Sequence, residues 1–332
     1  MPCALQSSTS PRRWRVSLVA ASLSVLTVAA FAQTAAITAG CPRPLTAKAF
    51  EEAFTEATVQ RHSLPQLTCA AAMSATAAAK APKDVDLQML ALDAQINLLE
   101  ALQLQLETQT YQGGDAYKDI KARWALGIQN GKAVSARLAK AAESVPSIAG
   151  LRIAFDLVSV SSSLVPAEQA YQVAAGNIDP LTRLLAKNPK LLDGIGEAML
   201  GRLYFQLPEF ARGDPQQAAV HLQKAHEIGR KNIVFTRWYA EALLALDRKV
   251  EVREVLARML PLQPEAIQRQ SFADELRAGV GLAERAGDQV LADQLKSKRG
   301  ALFKEFPMLQ TRQSAAVSGH GGVNPLTGKS TD

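Results

Sequence analysis

The chain has 332 residues, a formal net charge of +6, 48% hydrophobic residues and only 5% aromatic residues. This length is enough for one or two domains with a real hydrophobic core, and the apolar content excludes a wholly disordered chain. Three cysteines are too few for a small disulfide-stapled scaffold, whereas the low aromatic content and abundant alanine favour packed helices.

The first 32 residues have the pattern of an export signal. Three arginines within residues 12–15 precede an apolar run, 16–31, that ends in a small-x-small peptidase motif. The run is short for a membrane-spanning helix, and we expect no integral membrane span after cleavage. We therefore predict a cleaved signal peptide over 1–32 and a periplasmic or secreted protein. The alternatives are an uncleaved anchor, a twin-arginine export route and a lipid anchor at Cys41, for which the preceding residues fit poorly.

Cleavage changes both the charge and the cysteine count. It removes three arginines, no acidic residue and Cys3, which leaves 34 basic and 31 acidic residues and a net charge of +3. This modest charge, without a basic-aromatic string, argues against nucleic acid as a partner. In an oxidising compartment Cys41 and Cys69 are predicted to form a disulfide that adds about 3–4 kcal/mol at most. The alternative is two free thiols.

Residues 33–180 are predicted to form an N-terminal helical region. Apolar residues recur there at helical spacing, and the sequence has no clear alternating strand pattern. The two longest helices should form a helical hairpin packed within the chain, with a coiled coil between chains as the alternative. The predicted helices cover about 47–61, 65–80, 84–110 and 115–143, followed by short helices within 147–190.

The strongest signal is a self-similarity with a 34-residue period inside residues 181–306. Three apolar positions recur at this spacing, and each copy follows another predicted helix. The small residues Gly201 and Ala240 should let the two helices of a unit approach closely, and Gly213–Asp214 should form the first turn. The aligned pairs are Ala218 with Val252, Leu222 with Leu256, and Ala225 with Met259.

This pattern resembles the tetratricopeptide repeat (TPR), a helix-turn-helix unit of 34 residues. The resemblance implies an all-α fold, in which a TPR-like α-solenoid follows the N-terminal helical hairpin region. Residues 267–305 are expected to form a third, degenerate helical pair with its turn at Gly287–Asp288. We expect residues 307–332 to be a disordered tail.

The first repeat departs from the standard unit because its turn, 206–212, is unusually long and contains Pro208. Its sequence is similar to the T component associated with tripartite ATP-independent periplasmic (TRAP) transporters, whose first turn is also elongated and contains a proline. This resemblance covers roughly residues 180–290. It implies an exported helical-repeat protein that binds a small organic ligand or a solute receptor. The segments that carry it are Gly201 to Pro208, Arg212 to Pro215, and Ala218 to Ala225.

Catalytic and metal-binding patterns are missing from the sequence. No metalloprotease, dithiol or serine-hydrolase motif occurs. His221 and His226 are five residues apart and so lie on different faces of a helix. We interpret them as surface or groove residues and not as metal ligands. The prediction is a protein that is not an enzyme and has no cofactor, no metal and no catalytic residue.

Binding is the activity that the repeat pattern favours. In stacked helical pairs, the first helix of each unit lines a concave groove. Two arginines on this face would hold an acidic ligand or a partner's carboxylate by bidentate hydrogen bonds, unless they are ordinary solvated charges. The candidate binding residues, which are not needed for packing within a repeat, are Arg202, Phe205, Gln206, Arg237 and Glu241.

The sequence therefore predicts a non-enzymatic, exported scaffold or adaptor that binds a protein partner in the periplasm or cell envelope. One alternative is a TRAP-associated protein, similar to the T component, that binds a small organic ligand or the solute receptor. Another is an envelope assembly factor that acts through the long helical hairpin.

Overall fold

The fold is described from a computed structural model. The chain divides into two units, residues 1–41 and 42–332. All helices below belong to the second unit. The predicted signal peptide, the predicted helix over 47–61 and the predicted tail from 308 onward lie outside the described residues and stay predictions. The structure describes residues 41, 64–108, 114–264 and 269–307.

Helices make up all the regular secondary structure of the described residues, where no strand occurs. This confirms the predicted all-α class. None of the described helices is both long enough and apolar enough to cross a membrane. In chain order the helices are α1 (Leu64–Lys80), α2 (Val85–Thr108), α3 (Asp115–Ala142), α4 (Pro146–Val160), α5 (Ala167–Gly176), α6 (Ile178–Lys187), α7 (Ile195–Gln206), α8 (Pro215–Ile228), α9 (Ile233–Ala245), α10 (Lys249–Ala257), α11 (Arg269–Arg285) and α12 (Gln289–Glu305), with short 3₁₀ helices at Leu191–Gly194 and Glu209–Ala211.

Helices α2 and α3 form the predicted hairpin, and α1 and α4 each pack against both of them. The wide apolar stripe of α2 follows from this arrangement, since Leu92, Leu99 and Leu102 are fully buried among these neighbours. Asp84 begins the helix by accepting a hydrogen bond from the backbone N–H of Leu87 at 3.0 Å. The hairpin thus packs within the chain, as expected.

The contact between α3 and α4 leaves no room for a side chain at residue 131. The ring of Phe155 on α4 lies directly over Gly131 in the middle of α3. A Cβ atom at residue 131 would come within 2.0 Å of Phe155 Cε2. Because a buried phenyl ring cannot give way by that distance, the crossing of α3 and α4 depends on glycine at this position.

Helices α7 to α12 form three successive pairs, and their apolar faces merge into shared cores. In the first pair Gly201 lies against Leu222, and a Cβ atom at residue 201 would come within 2.6 Å of Leu222 Cγ. In the second pair Ala240 is fully buried. The third pair turns at Gly287, whose φ is +78°. The predicted helix-turn-helix repeat is confirmed, with the close approach at the small residues.

The long turn of the first repeat is a braced loop. It contains the 3₁₀ helix Glu209–Ala211, and Phe210 at its tip is 84% exposed. Asp214 then caps α8, since its side chain accepts hydrogen bonds from the backbone N–H groups of Gln216 and Gln217. Gly213 passes so close to the carbonyl oxygen of Leu207 that a Cβ atom would lie 1.8 Å from it. This conformation of the loop therefore requires glycine at residue 213.

A left-handed turn joins α6 to the first repeat. Leu192 and Asp193 have φ values of +50° and +53°, and Gly194 follows at +95°. Such backbone is costly for residues other than glycine and persists only where its surroundings enforce it. Here Leu192 packs against Gly150 of α4, while Gly194 faces Ile228 at the end of α8. The turn is thus wedged between the N-terminal helices and the first repeat.

Cys41 and Cys69 are both disulfide-bonded in the structure, as the sequence predicts for this pair. Cys69 lies within α1 and is half-buried. Such bonds persist in oxidising compartments and are rare in reducing ones. An exported protein is therefore compatible with this feature.

Candidate functional site

The first helices of the repeats, α7, α9 and α11, contact one another in succession. The side chains along their exposed side form what we call the groove cluster. Repeat stacking places it, because residues on equivalent faces of successive first helices become neighbours. The groove cluster consists of Arg202 and Phe205 on α7, Arg237, Trp238 and Glu241 on α9, and Glu275 on α11.

Charged hydrogen bonds connect the three helices of the groove cluster. Glu241 Oε2 accepts from Arg202 Nη1 at 2.8 Å and from Arg237 Nη1 at 3.0 Å. Arg237 Nε in turn donates to Glu275 Oε2 at 2.5 Å. Two guanidinium groups thus face two carboxylates, which balances the charge of the cluster and fixes the spacing of α7, α9 and α11.

Aromatic rings enclose the arginine of α7. The guanidinium carbon of Arg202 lies 5.1 Å from the ring centroid of Phe205 and 5.2 Å from that of Trp238, within cation–π range. Burial lowers the pKa of the Arg202 guanidinium below its ordinary value, and Arg237 adds to this effect, whereas Glu241 opposes it. The Arg202 side chain is only 17% exposed, so its position is set by neighbours on both helices.

The structure brings together four of the five candidate residues named from the sequence: Arg202, Phe205, Arg237 and Glu241 form one connected cluster. The fifth, Gln206, is half-buried at the end of α7. Within the described part of the chain, no hydrogen bond or ion pair joins Gln206 to the other four.

Sequence reasoning missed Trp238 and Glu275. Trp238 follows Arg237 directly in the sequence. An aromatic residue next to a candidate arginine could have indicated that it belongs to the same site. Glu275 is 38 residues after Arg237 rather than 34, because the third pair is out of register with the first two. Only the packing of α11 against α9 shows that Glu275 reaches the groove cluster.

A second polar cluster connects α7 to α8. Glu197, whose side chain is 7% exposed, contacts His221 Nδ1 through Oε2 at 2.6 Å, and its Oε1 lies 4.0 Å from Lys224 Nζ. The ring of Tyr204 stacks on His221 with 5.6 Å between centroids. Glu197 and Lys224 also line a cleft of about 650 Å³ beside the left-handed turn. Through its contacts with His221 and Lys224, Glu197 connects α7 to α8.

The interpretation of both histidines as surface or groove residues is wrong for His226, which is only 2% exposed. Its ring lies between Thr236 of α9 and Arg258 at the end of α10. The sequence pattern alone could not reveal this, because the burial of α8 depends on the second repeat packing over it. No group of three or more metal-ligating side chains occurs among the described residues.

Comparison with known families identifies the repeat. Residues 209–273 match the tetratricopeptide repeat family model. The match spans most of the long turn, all of α8, the second helical pair and the start of α11. It supports a tetratricopeptide-repeat protein, a class whose members are generally non-enzymatic and mediate protein–protein interaction. The comparison with curated proteins yields no match.

Proposed function

We propose that this protein is an exported, non-enzymatic scaffold that binds a partner protein on its groove cluster. The observation that carries the proposal is the aromatic enclosure of Arg202 by Phe205 and Trp238 on two successive first helices. Arginine and aromatic side chains are the residues most often responsible for binding energy at protein interfaces. Residues held in place before binding also lose less entropy when a partner arrives.

The cluster favours a partner segment that is both acidic and apolar. Among the described contacts, Arg202 uses one N–H group for Glu241, and a guanidinium carries five such donors. A carboxylate of the partner would accept hydrogen bonds from the remaining edge. An apolar side chain beside it would pack on the rings of Phe205 and Trp238. Because Glu241 and Glu275 already balance the two arginines, the attraction is local and does not arise from a net positive groove.

Export supports this choice of partner. The predicted signal peptide would direct the protein across the membrane, and the disulfide-bonded Cys41 and Cys69 suit an oxidising compartment. We therefore propose that the partner is a periplasmic or cell-envelope protein. No nucleic acid is expected there, in agreement with the modest charge of the predicted mature chain.

Site-specific photo-crosslinking in living cells tests the proposal. A crosslinking amino acid at Gln206 should capture a defined partner, because this half-buried position lies beside the groove cluster on α7. The same group at Val220, an exposed position on α8, is the matched control and should capture much less of that partner. Arg202→Gln should abolish the adduct at Gln206, since it removes the guanidinium between the two rings.

Two controls make this experiment decisive. Arg248→Gln removes an arginine that pairs with Glu251 at the second turn, away from the groove cluster, and should leave the adduct unchanged. Circular dichroism of Arg202→Gln should show that the helices persist. Equal capture at Gln206 and Val220, or an adduct that survives Arg202→Gln, would reject the groove cluster as the binding site.

We propose as a second candidate a TRAP-associated protein similar to the T component, which binds an organic acid or the solute receptor. The long turn of the first repeat favours it, because this braced loop presents the exposed Phe210 at its tip. Phe210 also packs edge-on against Tyr171 of α5, with 5.7 Å between ring centroids. The loop is thus a rigid feature that a receptor could recognise.

A thermal-shift screen against organic acids separates the two candidates. A ligand that raises the melting temperature of the wild-type protein would support the transport-associated function. Phe210→Ser should weaken capture of a purified solute receptor without changing the adduct formed at Gln206. A silent screen together with a groove-dependent envelope partner would reject this second candidate and leave the scaffold.

A further inference from the structure

A titratable side chain is buried where the first repeat meets the second. His226 lies near the end of α8 and is only 2% exposed. Thr236 and Tyr239 of α9 lie against its ring, and Arg258, which caps the C-terminal end of α10, also reaches it. His226, on the second helix of the first repeat, therefore contacts both helices of the second repeat.

The hydrogen bonds around His226 fit only a neutral imidazole. Arg258 Nη1 lies 3.0 Å from His226 Nε2, and because arginine can only donate, Nε2 must be the unprotonated acceptor. The hydrogen of the neutral ring is then on Nδ1, which donates to Thr236 Oγ1 at 3.2 Å. The Thr236 hydroxyl in turn donates a hydrogen bond to the carbonyl oxygen of Asn232 at 3.3 Å.

Protonation would break this arrangement. A hydrogen on Nε2 would point at the guanidinium of Arg258, so two donors and two positive charges would meet. Arg258 is exposed and can turn into solvent, but that leaves a charged, buried imidazolium with an unpaired N–H group. A buried charge without a partner is strongly unfavourable, so the contact between α8 and α10 would be lost instead.

The charged groups that act on His226 lie at the end of α10 and at the end of α8. Burial lowers its pKa below the ordinary value, and Arg258 on α10 lowers it further. Arg230, just after α8, acts in the same direction, while Glu227 on α8 opposes them. The C-terminal end of α8 also favours a cation. From α9 the ring meets the uncharged Thr236 and Tyr239, and burial raises the pKa of Tyr239, which stays protonated across the neutral range.

We propose that His226 is a pH-sensitive lock on the joint between the first and second repeats. The neutral ring connects α8 to α9 and to Arg258 at the end of α10, and protonation opens the joint by breaking these contacts. This device does not depend on which partner the protein binds. It acts in mildly acidic surroundings, where an imidazole near its ordinary pKa becomes protonated.

The direction of the pH dependence follows from linkage. In the unfolded chain His226 titrates near its ordinary value of about 6.5, and in the native state it titrates lower. The unfolded state therefore binds the proton first as the pH falls, and the native state loses stability. The contribution is fully present above about pH 6.5 and is lost as the pH falls towards the native pKa. One proton lowers the folding constant by at most about tenfold per pH unit.

Urea unfolding of the full chain between about pH 5 and pH 8 tests the lock. The wild-type folding constant should fall by up to about tenfold per pH unit below pH 6.5. His226→Gln keeps a neutral group that can accept a hydrogen bond from Arg258 and donate one to Thr236. The folding constant of this variant should therefore depend less steeply on pH, by the contribution of one proton. Val220→Gln, at an exposed position on the same helix, is the matched control and should retain the wild-type slope. Equal slopes for wild type and His226→Gln would overturn the proposal.

Two measurements on folded protein keep the test independent of variant stability. The imidazole NMR signal of His226, assigned by its loss in His226→Gln, should titrate below about pH 6.5, and a midpoint at or above this value would overturn the lock. Arg258→Gln removes the opposing charge and should raise the midpoint of the His226 titration.

In hydrogen exchange at mildly acidic pH, α8 and α10 should lose protection before α3. Simultaneous loss in all three helices would reject a lock at this joint.

Discussion

The N-terminal helices and the repeats use arginine in different ways. In α1 to α4, arginines reach neutral oxygens on a neighbouring helix, as in Arg123 to Thr68 at 3.0 Å and Arg137 to Gln88 at 2.8 Å. In the repeats, the groove arginines reach carboxylates on successive first helices. Each contact to a neutral oxygen belongs to one helix pair, whereas the contacts to carboxylates connect equivalent faces of successive first helices. The N-terminal contacts therefore each hold one helix pair, whereas the groove contacts connect successive repeats.

The same contrast holds for the glycine contacts. Gly131 lies under a rigid ring, and Gly201 lies against Leu222, whose side chain can rotate. We therefore expect the helix contact at Gly131 to be less tolerant of an added methyl group than the helix contact at Gly201. Substitutions at these glycines and at the helix caps test this comparison.

The largest effect is expected for Gly131→Ala, which should lower the free energy of unfolding by about 3 kcal/mol. The new Cβ atom would come within 2.0 Å of Phe155 Cε2, so the crossing of α3 and α4 must open. Urea unfolding measures the loss, and Phe155→Leu should restore part of it in the double variant. Gly281→Ala is the control, since a Cβ atom there meets open space in the middle of α11. It should be neutral or stabilise the protein by about 0.5–1 kcal/mol.

Gly201→Ala should have the next largest effect, about 2 kcal/mol of lost stability by the same measurement. The Cβ atom would approach Leu222 Cγ to 2.6 Å, but a change of rotamer relieves part of that contact. Leu222→Val in the double variant should recover some stability by giving the methyl group room. A loss greater than that of Gly131→Ala would contradict the proposed difference between the two regions.

The smallest effect is expected at the helix caps of the repeats. Asp214→Ala should cost about 1 kcal/mol, because two backbone N–H groups of α8 lose their acceptor. Asp288→Ala is matched to it, as Asp288 caps α12 through the single N–H group of Leu291 at 2.9 Å, and should cost less. Thermal unfolding of both variants at neutral pH measures the difference. Equal losses would show that the number of capped N–H groups does not set the cost.

Recurring or local features of the fold could be predicted from the sequence. The 34-residue period placed the turn at Gly213–Asp214 and the close contact at Gly201, since each depends on residues whose spacing repeats. Helix starts at Asp84 and Asp115 follow from acidic residues before apolar stripes. Most of the groove cluster could be named for the same reason, because repeat geometry assigns faces to first helices.

Other features depend on contacts that no local pattern encodes. His226 is buried because the second repeat covers α8, and Glu275 joins the groove cluster because α11 packs on α9. The left-handed Leu192 and Asp193 carry no turn signature of their own before Gly194. Their backbone is imposed by α4 on one side and α8 on the other. Such features follow from tertiary packing, which overrides local preference.

The left-handed turn also determines how this repeat array can change over generations. Leu191 and Leu192 cover α7 at the place where a preceding repeat would pack, together with α6. A tandem duplication inserted before α7 would have to remove this cover and the contact with Gly150 in one step. Because nearest-neighbour packing is all that a repeat needs, new units are accommodated more easily among α9 to α12. The first unit of the array is therefore covered on its outer side, and an additional unit would fit more easily after it than before it.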